Sequence, residues 1–591
     1  MSILSFLLGA SNLVSGISQQ VSNGASQLGT LDAPRLPSFL GGDSSGGSPY
    51  SNNSGQDPYN NPPNTGVVRK YEWEISRGCL APDGFLKCGI FINGGYPGPT
   101  LEANWGDTFQ ITIHNNITGP EEGTSLHWHG LNQKGTPWMD GVPGASQCPI
   151  APGSSFTYTF NADQYGSSWY HAHFSAQYTD GVFGPIVIYG PIHEQYDIDI
   201  GPVLLNDYYH TPYYQNVQAS IGKRFTPSSD NNFINGKMPF DCSLAGGQQC
   251  SPNAGVSKFR FQSGAKHRLR LINSGAEGLQ RFTIDGHKMT VIANDFVEVK
   301  PYQADVITLA VGQRTDIIVE GTGNPSDTFW MRSDISKFCS FTNQPHALAA
   351  IYYEDADTSS TPQSTATPYQ DNNCANDALQ LTEPLFQRTP PSQPSITTHI
   401  DMEFQANSTG QMVWMMNNQS FRADYNQPIL LLANAGNTSY PDQPEWNVYN
   451  YGNAVSVRLV LTSIAPLHHP MHLHGHNFWV LAEGYGEWDG TIVRPENPQY
   501  RDTHQMERGD PTKGQAGQSY VVLEWLADNP GVWPMHCHIA WHLSSGMYIN
   551  VMEHPDQIQN EMQVPDIMAQ TCRDWWQFSG SNVVDQIDSG V

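Results

Sequence analysis

A cysteine between two histidines, His536-Cys537-His538, followed by His542 and Met547, carries the side chains of a one-electron copper centre. A thiolate, imidazoles and a weak axial thioether make a blue-copper electron-transfer site. On an extended strand, successive side chains point to opposite faces. Cys537 therefore faces one metal while His536 and His538 face the other way, and the three residues form a short covalent wire between two sites. Histidines for the far side come from His127-Trp128-His129, His171-Ala172-His173 and the run His469-Pro470-Met471-His472-Leu473-His474-Gly475-His476. Each H-x-H pair on a strand puts two imidazoles on one face. Five such pairs occur among the 21 histidines of 591 residues, where chance gives about one. Structural zinc sites favour four ligands, often from spaced C-x-x-C pairs, and the chain has no C-x-x-C.

Eight far-face histidines (His127, His129, His171, His173, His472, His474, His536 and His538) suit a three-copper cluster. Cys537, His542 and His469 suit a single copper. One site collects electrons singly and the other holds several redox metals together, a pairing that fits reduction of dioxygen to water. An electron carrier would need only the single site.

Strands must position these clusters, and the chain is built for them. Fifty-five glycines, 42 prolines and 26 tyrosines, with abundant Thr and Val, favour an all-β architecture of repeated sandwiches or barrels. Strand-like runs fall at 108–114, 155–161, 185–189, 258–262, 268–273, 306–311, 456–462, 519–526 and 548–552. The chain also repeats itself. With Trp169–His173 set over Pro534–His538, His171 and His173 fall on His536 and His538, while Ala172 falls on Cys537, Gln177 on His542 and Val182 on Met547. His127 and His129 align with His472 and His474. The first domain thus keeps far-face histidines and lacks the thiolate site, and the two related domains are expected to meet and share eight histidines. Residues 201–365 hold strands without H-x-H, so their default role is structural, with a share in walling a pocket. Residues 355–397 read as a linker or long surface connection.

The four histidine motifs resemble those of multicopper oxidases, and the chain from about residue 67 onward is similar to filamentous-ascomycete laccases. The resemblance implies three sequential cupredoxin domains (67–200, 201–365 and 366–565, the last including the linker), preceded by a leader-like and low-complexity segment (1–66) and followed by a tail (566–591) that enters the channel to the cluster. It implies four coppers: type 2 on His127 and His472; one type 3 on His129, His171 and His538; the other on His173, His474 and His536; and type 1 on His469, Cys537 and His542. The implied activity is oxidation of phenols and related aromatics coupled to reduction of O2 to water. Ascomycete laccases commonly carry Leu at the axial position, where this chain has Met547. A thioether there stabilises the oxidised copper and lowers the potential; the other reading is that Met547 only packs nearby. Glu277 matches an acidic position of family substrate pockets, where it accepts the phenol proton as the electron leaves through His542. Asp140, in Trp138-Met139-Asp140-Gly141, resembles the acid that aids proton delivery near the cluster. A solvated loop acid and a turn aspartate are the plainer readings of these two. Ascorbate-oxidase-like and bilirubin-oxidase-like enzymes share the axial methionine and remain alternatives.

A net charge of −27 argues against nucleic acid or anionic membrane as partners, and no apolar run is long enough to span a bilayer. Apart from Cys537, eight cysteines remain, an even number with roughly a hundred possible connectivities. The resemblance implies Cys79–Cys88, Cys148–Cys572 and Cys339–Cys374, leaving Cys242 with Cys250. Five N-x-S/T sequons, at Asn52, Asn116, Asn407, Asn418 and Asn437, join the cysteines in pointing to a secreted glycoprotein, with a monomer as the default state. Residues 3–14 resemble a short signal h-region without a preceding basic residue. Residues 41–66 read as weakly ordered.

Overall fold

The structure, a computed structural model, describes residues 28–31, 62–191, 193–223, 226–582 and 584–591. The signal-like stretch at 3–14 and the sequon Asn52 lie outside the described residues. Six sheets follow one another in three pairs of four and four, six and five, and six and five strands.

One topological motif recurs in each pair. Val68–Leu80 runs parallel to Thr108–Asn116, which pairs antiparallel with Ser155–Asn161. Ile198–Tyr208, Lys266–Asn273 and Arg314–Glu320 repeat this order, and so do Ile396–Ala406, Ser456–Ser463 and Ser519–Leu526. The all-β, three-unit expectation holds, and the recurrence extends the repeat to the middle unit, where no histidine motif marks it.

Outer strands alternate, as half-buried strands must: in Ser155–Asn161 burial switches at every residue. Gly166–Ala172 and Gly531–Cys537 are instead buried throughout, because one face meets apolar core and the other meets the histidines. A continuous apolar core spans the first and third units, from Trp128 to Trp533, and takes in Leu204, Ile272 and Phe296 of the middle unit, whose sheets also enclose a separate core.

The three disulfides that the resemblance implies form, and the remaining two cysteines, Cys242 and Cys250, pair with each other; Cys537 is the free cysteine among the described residues. The connection expected at 355–397 is irregular as far as residue 395, where the strand Ile396–Ala406 begins, yet Cys374 and Leu379 are buried in it. Residues 566–581, read from sequence as the start of a tail, form the helix Asp566–Ser581, pinned by Cys148–Cys572. Inside the leader-like segment, Leu28 is buried and the Gly29 carbonyl accepts from Lys258 N–H. No helix of the described residues is long and apolar enough to cross a membrane.

Candidate metal centre

Register brings the histidines together. Leu126–Trp128 pairs with Gly166–Ala172 so that His127 lies opposite His171. His469–Leu473 pairs with Gly531–Cys537 so that His472 lies opposite His536 and Met471 opposite Cys537. Cross-strand partners point the same way, which puts His472 and His536 on one face and Cys537 on the other. His469, two residues before Met471, shares the cysteine's face.

All eight far-face histidines are at most 2 % exposed. His127 stacks on His474 at 3.8 Å between ring centroids, and His129 on His472 at 3.9 Å. His474 Nε2 and His536 Nε2 converge to 3.0 Å, and His538 Nε2 comes to 3.2 Å from His129 Nδ1. Ligand atoms lie within 4.8 Å of one another in four overlapping groups: His127, His472 and His474; His127, His129 and His171; His173, His474 and His536; and His129, His472 and Asp502.

Their hydrogen bonds test whether a metal fits. His127 Nδ1 meets the Asp140 carbonyl at 2.8 Å, His472 Nδ1 the Asp502 carbonyl at 2.9 Å, and His171 and His536 the carbonyls of Ala172 and Cys537. Each Nδ1 is thereby engaged on the outer side. The Nε2 atoms of His127, His171 and His472 and both nitrogens of His173 have no partner. A buried unpaired polar atom costs about 1–3 kcal/mol. An imidazole with one nitrogen held by protein oxygen and the other bare is the arrangement metal-bound histidines adopt. Burial also drives the ring pKa values of His129, His171, His173, His472, His474 and His538 well down, and that of His536 to about 3. The rings are thus neutral and able to ligate. The donor set fits a cluster of metal ions.

On the opposite face, Cys537 Sγ lies 3.7 Å from His469 Nδ1 and 3.5 Å from His542 Nδ1. His542 gets there from the short helix Ala540–Ser544. Burial pushes the Cys537 thiol well above its usual range, so a metal is needed to displace its proton. Met547 is fully buried, and its carbonyl accepts from Cys537 N–H at 3.3 Å.

Family models described as multicopper oxidase match residues 74–192, 199–356 and 388–557. The chain belongs to the multicopper oxidases. Laccase-2 of Botryotinia fuckeliana is 34% identical over 542 residues, 90% of each chain. Dihydrogeodin oxidase of Aspergillus terreus is 33% identical over 576 residues, covering 90% of this chain and 92% of its own. The crystal structure of the laccase from Botrytis aclada superposes with a TM-score of 0.83 at 32% identity, covering 91% of this chain and 97% of that one. The three units are cupredoxin-like domains, and membership of this family implies copper.

The two carboxylates singled out in this multicopper oxidase are both buried. Asp140 follows the short helix Pro137–Met139; its Oδ2 lies 2.9 Å from His474 Nδ1 and its Oδ1 3.2 Å from His127 Nδ1. Gly141 continues this turn at φ +86°, where a Cβ would meet the Leu126 carbonyl at 1.8 Å. Glu277 accepts from Phe341 N–H at 3.1 Å, and its Oε1 lies 3.9 Å from His468 Nε2. Burial raises its pKa above 4.5, and His468 pulls it partly back.

Sequence reasoning missed four neighbours. Trp414 packs 4.8 Å from His469 and 4.7 Å from His542 between ring centroids. Asp502 Oδ1 lies 3.3 Å from His129 Nε2, and Thr503 Oγ1 sits 3.0 Å from both His129 Nε2 and His472 Nδ1. His468 adjoins His469. None belongs to an H-x-H pattern, and only the doubled His468-His469 was a visible signal.

Proposed function

We propose that this multicopper oxidase is a laccase, oxidising phenols and related aromatics one electron at a time and reducing O2 to water. One observation carries the reading: the Cys537 thiol faces His469 and His542 while its chain neighbours His536 and His538 face a second, histidine-only cluster. Four coppers are proposed, one with His469, Cys537 and His542 and near Met547, the other three among the eight histidines. When bound, they would supply one-electron acceptance at the first site and four-electron reduction of O2 at the second.

The chain's own groups handle protons and order. Glu277, fixed by Phe341 N–H, accepts the phenol proton. Asp140 orients His474 and His127 through their Nδ1 atoms and is the nearest carboxylate for proton delivery to that face. The tail closes the region: Asp588 accepts from the Ser175 hydroxyl at 2.6 Å, and Ser589 N–H donates to the Ser544 carbonyl at 2.8 Å. These contacts fall two residues from His173 and His542, and they support a tail that restricts access to the metals. Secretion is supported by the disulfides and by exposed sequons at Asn116, Asn418 and Asn437. A monomer is proposed.

Oxygen uptake by the copper-loaded protein with a methoxyphenol, with peroxide assayed alongside, tests the reading. The expected stoichiometry is about four phenols per O2 without peroxide, because each phenol gives one electron. Uptake with phenol but with peroxide accumulating would mean that the cluster is incomplete. No uptake from a blue sample would favour an electron carrier.

A further inference from the structure

His468 is 1 % exposed, and neither of its ring nitrogens has a hydrogen-bond partner. Its Nε2 points towards Glu277 Oε1 across 3.9 Å, too far for a direct hydrogen bond. The carboxylate does not drift into this gap by chance. The Glu277 backbone N–H is held by the Asp207 carboxylate, which also takes those of Ala276 and Gly278. Its Oε2 is held by Phe341 N–H. Oε1 is therefore fixed, facing an imidazole it does not touch.

Leaving a buried imidazole unpaired costs about 1–3 kcal/mol, so a polar atom belongs between the two groups. One oxygen can serve both: at about 2.8 Å from each it spans the gap with an angle of roughly 90° at the oxygen. A hydroxyl meets the requirement on both sides, donating its proton to the carboxylate and accepting from the imidazole N–H. The surroundings suit an aromatic ring. Trp414 lies against both His469, the chain neighbour of His468, and His542.

We propose that Glu277 and His468 form a two-point clamp for the hydroxyl of an aromatic substrate, with Glu277 Oε1 as acceptor and His468 Nε2–H as donor. This rests on the laccase reading and adds the residue that selects hydroxylated rings. On oxidation the phenol O–H bond breaks: the proton goes to Glu277, one electron goes to the copper centre that the proposed activity supplies, and a phenoxyl radical leaves. His468 gains and loses no proton. It keeps its hydrogen bond to the substrate oxygen and positions it.

The test uses the copper-loaded protein with His468→Leu and with His468→Asn, which retains an N–H donor. Oxygen uptake is measured with a methoxyphenol and with hexacyanoferrate(II), which gives up an electron and no proton. Binding of the redox-inert 4-nitrophenol is followed by its absorbance. For His468→Leu the expected result is about a tenfold loss in kcat/KM for the phenol, carried by KM, and in 4-nitrophenol affinity, the effect of one lost hydrogen bond. The change for hexacyanoferrate(II) is far smaller, and His468→Asn recovers part of the loss. An equal loss on both donors, or a shifted blue absorbance, overturns the clamp, because His468 would then only support His469. No effect on either phenol overturns it too, and leaves the gap to a resident water. If the wild-type protein takes up no oxygen with the phenol, the laccase reading fails instead, and 4-nitrophenol binding still decides the clamp.

Discussion

Arg314, from the middle domain, grips Asp502 of the third domain with both arms at 2.6 Å, and the two side chains are wholly buried. Asp502 in turn lies against His129 and His472, and Arg314 also approaches Asp295, which holds Arg501. A domain without a candidate metal ligand thus orients two of the cluster's histidines.

Removing the guanidinium should therefore harm both fold and cluster. Arg314→Leu strands a buried carboxylate, and breaking such a pair costs about 3–5 kcal/mol. The expected outcome is a lower denaturation midpoint together with a lower copper content per chain than the unaltered protein holds. The blue absorbance should largely survive, since Cys537, His469 and His542 lie on the other face. Full copper retention at wild-type stability would show the pair to be idle.

Gly312 makes a second contact from the same domain. At φ +87° it packs so closely that a Cβ would lie 2.9 Å from His538 Cδ2 and 3.0 Å from His129 Cε1. Gly312→Ala adds backbone strain of about 1 kcal/mol or more and pushes on two candidate ligands at once. Copper content and the electron paramagnetic resonance signal of the cluster should change more than the melting temperature does. A normal cluster signal would count against this contact.

Much of this was legible in the sequence, for a physical reason. Strand parity is a local property, so H-x-H and H-C-H spacing alone separates Cys537 from His536 and His538, and the register His472 opposite His536 only completes it. Three of the disulfide pairs came instead from the family resemblance. What stayed hidden depends on contacts between distant segments. Arg314 and Asp502 are 188 residues apart, Trp414 sits in an ordinary apolar strand, and Gly312 is one of 55 glycines. Nothing local marks any of them. The helix Asp566–Ser581 was missed because its pattern is short and partly polar; its buried face is Met568, Thr571, Cys572 and Trp575.

Met547 sets a prediction about potential. If its thioether faces the copper, Met547→Leu removes a weak donor that favours the oxidised state, and the potential should rise by the order of 0.1 V, about 2 kcal/mol per electron. The volume change is small, so stability should fall by less than about 1.5 kcal/mol. Redox titration of the blue band checks this, and an unchanged potential would assign Met547 to packing alone.

The tail gives a prediction about access. Besides Asp588 and Ser589, the Gly590 carbonyl accepts from Ser175 N–H at 3.1 Å and from the Tyr425 hydroxyl at 2.8 Å, and Val591 is buried. Deleting residues 588–591 removes all of these contacts. Chelator extraction of copper should then accelerate severalfold at nearly unchanged initial copper content. Equal extraction rates would show that the tail covers no route to the metals.

Glu277 predicts how pH acts. Burial raises its pKa above 4.5, so the neutral acid is the form the fold prefers. Its contribution to stability is fully present below the unfolded pKa and fades as pH rises through the raised folded value. Catalysis runs the opposite way, because only the carboxylate can accept the phenol proton. Phenol oxidation should therefore lose kcat/KM on the acid side through a titration displaced upward from the usual glutamate range, while hexacyanoferrate(II), which releases no proton, should show no such limb. Glu277→Gln should abolish the limb and lower phenol turnover by about 10²-fold or more, the usual scale of general-base catalysis, while stabilising the fold at neutral pH. If both donors lose activity along the same acid curve, the titrating group belongs to oxygen reduction, and Glu277 is not the acceptor.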